Sequence, residues 1–165
     1  MRLGVAGAVR GKMVRTSLHG TFTMADAATT AMRRALSAIA VPRIRTLGFE
    51  GSLPHFRRQR DGRHEALMFQ FDKHGGGFFL EAGFAGSDEF RDLQREWEAA
   101  GQPLPASGFT VAHCAPHRRA RLGGTRPHPG SNYRFAFVSG DVDDTARRAA
   151  TVIDEQVEAF FADAQ

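Results

Sequence analysis

The 165-residue sequence has little cysteine, tryptophan, tyrosine or lysine. Cys114 is the only cysteine, which excludes an intramolecular disulfide framework and suits a reducing compartment such as the cytoplasm. No apolar run approaches the roughly 20 residues that a membrane-spanning helix needs. Hydrophobic residues make up 42% of the chain and charged residues 24%, which excludes a disordered or fibrous protein. We therefore expect a cytoplasmic protein with one globular domain.

The excess of positive charge lies at the start of the sequence. The chain has 22 basic and 18 acidic residues, and residues 1–23 hold four of the basic residues and none of the acidic ones. We expect residues 1–23 to be a disordered basic arm, or sequence read from a start codon assigned too early, and residues 24–165 to be one α+β domain. Because charge in the rest of the chain sums to zero, the composition counts against nucleic-acid binding.

Charge is segregated along the remaining sequence. Residues 33–73 hold nine basic and four acidic residues, and residues 118–134 hold five arginines and no acidic residue. Residues 81–98 and 141–165 are instead predominantly acidic. The basic and acidic parts either neutralise each other across the fold or leave arginines available to an anionic partner.

Three helices are predicted. The first begins at Met24 and is interrupted by Pro42, since proline cannot continue a helix interior. A second, acidic helix is expected from Ser87, as its N-cap, to about Ala100. The last covers residues 145–163, where apolar residues recur at helical spacing.

The strands are predicted from alternating apolar and polar residues. Asp61-Gly62 is a strong signal for a two-residue hairpin turn. Apolar residues, many of them phenylalanine, recur at every second position of the strands, so one face of the sheet is expected to be apolar and covered, and the other open. This order predicts an α+β fold with an antiparallel β-sheet and the N- and C-terminal helices packed on one face. The expected strands are 54–60, 64–72, 77–85, 109–114, 117–122 and 132–139.

Several short segments, taken in order, resemble the bacterial domain of unknown function 4304 family. The resemblance spans roughly residues 28–162 and implies a small intracellular bacterial protein. The family carries no established activity, so the resemblance supports the fold order and supplies no catalytic residues. The segments are Leu47-Gly48-Phe49, Pro54-His55-Phe56-Arg57-Arg58, Met68-Phe69-Gln70-Phe71, Gly76-Gly77-Phe78-Phe79-Leu80-Glu81, His113-Cys114, Arg119-Ala120-Arg121-Leu122-Gly123 and the aromatic strand at Tyr133–Phe137.

The main functional hypothesis is a non-enzymatic binding domain without a cofactor. If the first strand and the late strand share a sheet, their arginines line its open face and can hold an acidic protein surface or an anionic ligand, since guanidinium groups bind carboxylates and phosphates in a bidentate manner. Replacing Arg58 and Arg121 together by alanine is then expected to abolish partner capture while leaving the melting temperature nearly unchanged. The proposed binding residues are His55, Arg57, Arg58, Gln70, Glu81, Arg119 and Arg121.

Two alternatives remain open from the sequence. His113, Cys114 and His117 lie within five residues and are types that bind zinc or form a cysteine nucleophile, which would suit a small hydrolase or metal-dependent enzyme. A second cysteine for a four-ligand structural zinc site is absent. The other alternative is a nucleic-acid-binding accessory protein that uses the basic arm and the arginine-bearing strands.

Overall fold

A computed structural model describes residues 24–124, 127–128 and 132–163 of the chain. The arm expected over residues 1–23 lies outside the described residues. Within the described part, every helix is too short or too polar to cross a bilayer.

The described residues form four helices, six strands and three short 3₁₀ turns, which confirms the predicted α+β class. The helix that starts at Met24 is interrupted near Pro42, as predicted: it ends at Ile39, and a short second helix with Pro42 near its start follows. The elements are α1 (Met24–Ile39), α2 (Val41–Thr46), β1 (Glu50–Ser52), β2 (His55–Arg60), β3 (Arg63–Phe71), β4 (Gly77–Gly86), α3 (Ser87–Ala99), the 3₁₀ turns Ala106–Gly108, Val111–His113 and Pro116–Arg118, β5 (Arg119–Leu122), β6 (Phe135–Ala136) and α4 (Val142–Asp163).

All described strand pairs are antiparallel. The strand order is β1-β2-β3-β4-β5, and β6 pairs with β4 beside β5. The predicted hairpin is present, because Asp61 and Gly62 both have positive φ, 51° and 72°, and Arg60 pairs with Arg63 across the turn. Positive φ at both central residues is the requirement of the tight hairpin turn that Asp-Gly favours.

The phenylalanine-rich face of the sheet is covered by α1, α2 and α4, as the sequence predicts for the terminal helices. Phe56, Phe69 and Phe78 point from successive strands into this core and are at most 1% exposed. The helices contribute an apolar stripe that includes Leu36 and Ile153, both fully buried. Burying these large side chains supplies the main favourable term in folding.

The opposite face is also partly covered, which corrects the expectation of one open face. Residues 104–118, here called the covering segment, pack on this face together with helix α3. The contacts are centred on Phe90 of α3 and on Phe109 and Val111 of the covering segment. Small sheet residues make the close approach possible. A Cβ atom on Gly83 would lie 2.9 Å from the Cys114 Sγ atom, so only glycine fits beneath this cysteine.

Several element predictions near the covering segment are wrong. Residues 109–114 form no strand but a 3₁₀ turn with flanking extended residues, and the strand predicted over 117–122 begins only at Arg119. The strand predicted over 132–139 is reduced to Phe135–Ala136. The N-cap of α3 is Gly86 rather than Ser87, because the Ser87 hydroxyl donates to the Gly62 carbonyl oxygen at 2.6 Å.

Candidate functional site

Arg58 does not lie on the proposed binding face, which corrects its assignment. Along β2, Phe56 and Arg58 point to the helix-covered side, while His55 and Arg57 point to the other. The Arg58 side chain is 5% exposed, and its Nε donates to Glu65, itself fully buried, at 2.5 Å. Its guanidinium also lies over the Phe49 ring, 4.3 Å from the ring centre. Arg58 is therefore a structural residue, unavailable to a partner.

The buried ion pair belongs to a larger network that joins β2 and β3 to the end of α4. Arg58 Nη1 donates to the Leu47 carbonyl oxygen and to Glu158 Oε1, each at 2.5 Å, and Arg60 Nη1 lies 2.8 Å from Glu158 Oε2. Partial burial raises the pKa of Glu158, but hydrogen bonds from Arg58 and Arg60 outweigh it and hold that pKa below its ordinary value. The network fixes the last turns of α4 against the sheet.

The other proposed residues lie on the face that carries the covering segment. The strand register places Arg57, Ala66, Gly83 and Arg119 directly opposite one another in one row across β2, β3, β4 and β5. A neighbouring row runs through His55, Met68, Glu81 and Arg121. The covering segment lies over Ala66 and Gly83, between the two ends of the first row. The two arginine-bearing strands share the face but do not lie side by side.

A groove of about 520 Å³ lies beside the covering segment on β3, β4 and β5. It brings together four of the residues proposed from the sequence, Gln70, Glu81, Arg119 and Arg121. Asn132 was not among the predicted residues, because it follows a Gly- and Pro-rich loop without periodic pattern. We call this the arginine groove; its other lining residues include Met68, Ala112, Pro116 and Asn132.

Arg121 is oriented within the arginine groove by two neighbours on β4. Its Nε donates to Glu81 Oε1 at 2.8 Å, and its guanidinium lies over the Phe79 ring at 3.9 Å from the ring centre. Glu81 and Arg121 are register partners on adjacent strands, which places their side chains on the same face. The pair leaves the Arg121 side chain 27% exposed, so the oriented guanidinium still contacts solvent.

Arg119 is the second cation of the arginine groove. It is half-buried, and its side chain makes no hydrogen bond or ion pair with any residue in the described ranges. Among the described residues that line it, the groove therefore holds two guanidinium groups and one carboxylate, that of Glu81. This arrangement favours an anionic group beside Arg119.

His55 lies away from the arginine groove, at the far end of its row. It is half-buried, and its Nδ1 atom is buried without a hydrogen-bond partner in the described part of the chain. Burial lowers the pKa of His55, and it lowers the pKa of His64 on the neighbouring strand as well. Because the neutral form of both rings is favoured, neither adds positive charge to the face at neutral pH.

The cysteine and histidine cluster does not form the site that the enzymatic alternative requires. Burial raises the pKa of the Cys114 thiol to about 12, so the nucleophilic thiolate is strongly disfavoured. The Nδ1 atom of His113 accepts a hydrogen bond from the Thr110 backbone N–H at 3.0 Å, while His117 is exposed. Over the described ranges, no three His, Cys, Asp or Glu side chains are grouped so as to hold a metal ion.

The strand edges beside the binding face are occupied by the chain itself. At β5, Arg121 and His128 exchange backbone hydrogen bonds of 3.3 Å in both directions. At β1, the Arg45 guanidinium donates to the carbonyl oxygens of Phe49 and Gly51. A partner that adds a strand to the sheet would have to displace these bonds, so side chains on the sheet face are the more accessible means of contact.

The family assignment follows from a comparison with known protein families. The family model described as Domain of unknown function (DUF4304) matches residues 40–163. The chain belongs to this family. The match confirms the resemblance and contains every strand, α2, α3 and α4, and hence the whole arginine groove. Helix α1 precedes the DUF4304 match but packs in the same core. Comparisons with curated proteins and with solved structures found no match.

Proposed function

We propose that this DUF4304 protein is a non-catalytic binding domain that holds a carboxylate of an acidic protein segment in the arginine groove. The observation that carries the proposal is the pair of arginines in one groove, with Arg121 already oriented by Glu81 and Phe79 and Arg119 without a partner in the described ranges. Arginine is well suited to this role because its planar guanidinium matches a carboxylate with two parallel hydrogen bonds.

The openness of the arginine groove supports a protein segment over a small molecule. Pockets for small ligands typically enclose most of the ligand surface. Here four lining residues are themselves exposed: Gln70, Ala112, Pro116 and Asn132. Because one carboxylate already offsets one of the two guanidinium groups, the remaining single positive charge suits a carboxylate better than a multiply charged phosphate.

The Arg119→Ala variant tests this proposal. The probe is a fluorescein-labelled octaglutamate, followed by fluorescence anisotropy at fixed ionic strength. We expect Arg119→Ala to weaken binding about 10- to 100-fold, because a hydrogen bond to a charged group contributes about 1.5–3 kcal/mol. Neither an octaglutamine peptide nor equimolar inorganic phosphate is expected to compete.

Arg91→Ala is the matched control, since it removes the same charge from an exposed position on α3, where Arg91 pairs with Asp88. We expect it to change the affinity less than twofold, because exposed ion pairs contribute little. An equal loss of affinity in both variants would show that only overall charge matters. Wild-type affinity in Arg119→Ala, or displacement of the probe by phosphate, would also contradict the proposal.

A further inference from the structure

A second groove lies on the other side of the covering segment, at the opposite end of the row that contains Arg119. Its volume is about 440 Å³. The hairpin, β1 and the covering segment each contribute to it. We call it the Arg57 groove; its lining residues include Glu50, Arg57, Gln59, His64, Ser107 and Phe109.

Arg57 resembles Arg119 in its surroundings. It is half-buried, and its side chain has no hydrogen bond or ion pair with any residue in the described ranges. Glu50 lies opposite Arg57 in the strand register but forms no ion pair with it. The two arginines at the ends of one row are thus both available to an external carboxylate.

The covering segment between the two grooves carries no carboxylate that would repel an anionic chain. The sequence contains no acidic residue between Glu98 and Asp141. Ala106, Ser107 and Ala112 of this segment are exposed and are small. A peptide backbone can therefore pass close to these three residues without meeting a carboxylate of the covering segment or a bulky side chain.

We infer that a single acidic segment crosses the covering segment and places one carboxylate in each groove, on Arg57 and on Arg119. This inference rests on the proposed function of the arginine groove and adds the spacing of the partner's charges. Arg57 and Arg119 are separated by three strand spacings, about 14 Å between their Cα atoms. An extended chain covers that distance in about four to six residues. The ligand class is therefore an acidic peptide with carboxylates separated by several residues.

Two peptides of equal charge test the inference. Both are acetylated and amidated nonapeptides of glycine and serine with two glutamates, adjacent in one peptide and six positions apart in the other. The second carboxylate of the spaced peptide binds at a high effective concentration once the first is in place. We expect the spaced peptide to bind wild-type protein at least tenfold more tightly than the adjacent one, as measured by NMR titration.

The variants separate this inference from the proposed function. Arg57→Ala is expected to remove the advantage of the spaced peptide while leaving the affinity of the adjacent peptide within twofold. Arg119→Ala is expected to weaken both peptides. If Arg57→Ala changes neither affinity while Arg119→Ala weakens both, the two-point contact is wrong and the arginine groove alone binds. If Arg119→Ala changes neither, the proposed function is wrong, and the inference that depends on it is overturned as well.

Discussion

The free energy of unfolding of the Arg58→Ala variant is expected to be about 3–5 kcal/mol lower than that of the wild-type protein. The variant leaves Glu65, which is fully buried, without the guanidinium that lies 2.5 Å from it. Arg60 and Arg63 approach the Glu65 carboxylate only at 4.0 and 3.5 Å and are partly exposed, so they compensate its charge less well. The variant also loses the hydrogen bonds from Arg58 to Leu47 and Glu158.

Urea denaturation followed by circular dichroism measures this loss, and Arg57→Ala is the matched control. Arg57 is the adjacent residue on β2, but its side chain lies on the opposite face without an ion pair in the described ranges. We expect its replacement to change the free energy of unfolding by less than about 1 kcal/mol. Equal stability of the two variants would mean that Arg58 is not buried as described. The expected loss is opposite to the sequence-based expectation that replacing Arg58 and Arg121 together leaves the melting temperature nearly unchanged.

A Gly83→Val substitution is expected to destabilise the protein by about 2–3 kcal/mol. The first added carbon alone would lie 2.9 Å from Cys114 Sγ and 3.3 Å from Arg119 Cγ. Valine is enriched in strands and glycine is depleted, so the predicted loss comes from steric conflict with the covering segment. Urea denaturation of the single variant gives the magnitude.

Cys114→Ala provides the control for Gly83→Val, because it removes the sulfur atom nearest to the new side chain. We expect the two substitutions together to cost at least about 1 kcal/mol less than the sum of their separate effects, since residues in contact are not additive. Additive effects would show that the covering segment does not rest on Gly83.

The hairpin and its register could be predicted from the sequence. Asp61-Gly62 specifies a two-residue turn, and this turn places Arg58 opposite Glu65. Alternation along β2 then assigns Arg58 to the same face as Phe56. Arg58 was wrongly predicted to lie on the open face because neighbouring arginines suggest an exposed strand. Its burial is instead stabilised by the carboxylate of Glu65, seven residues away in the sequence.

The covering segment was not predictable in the same way. Phe109 and Val111 are two positions apart, as apolar residues of a strand are, yet this part of the chain is a series of 3₁₀ turns. The conformation of this segment depends on packing against distant residues such as Ala66 and Gly83. The local pattern of apolar and polar residues does not indicate that contact. For this reason the division of the binding face into two grooves emerges only from the structure.

Side-chain NMR of the arginine Nε–H groups tests the central claim most directly, because it reports each guanidinium separately while octaglutamate is added. The resonances of Arg119 and Arg121 are expected to shift in a saturable manner, while that of Arg58, buried with Glu65, stays in place. Saturable shifts confined to exposed arginines elsewhere, such as Arg33 and Arg34 on α1, would contradict binding in the arginine groove.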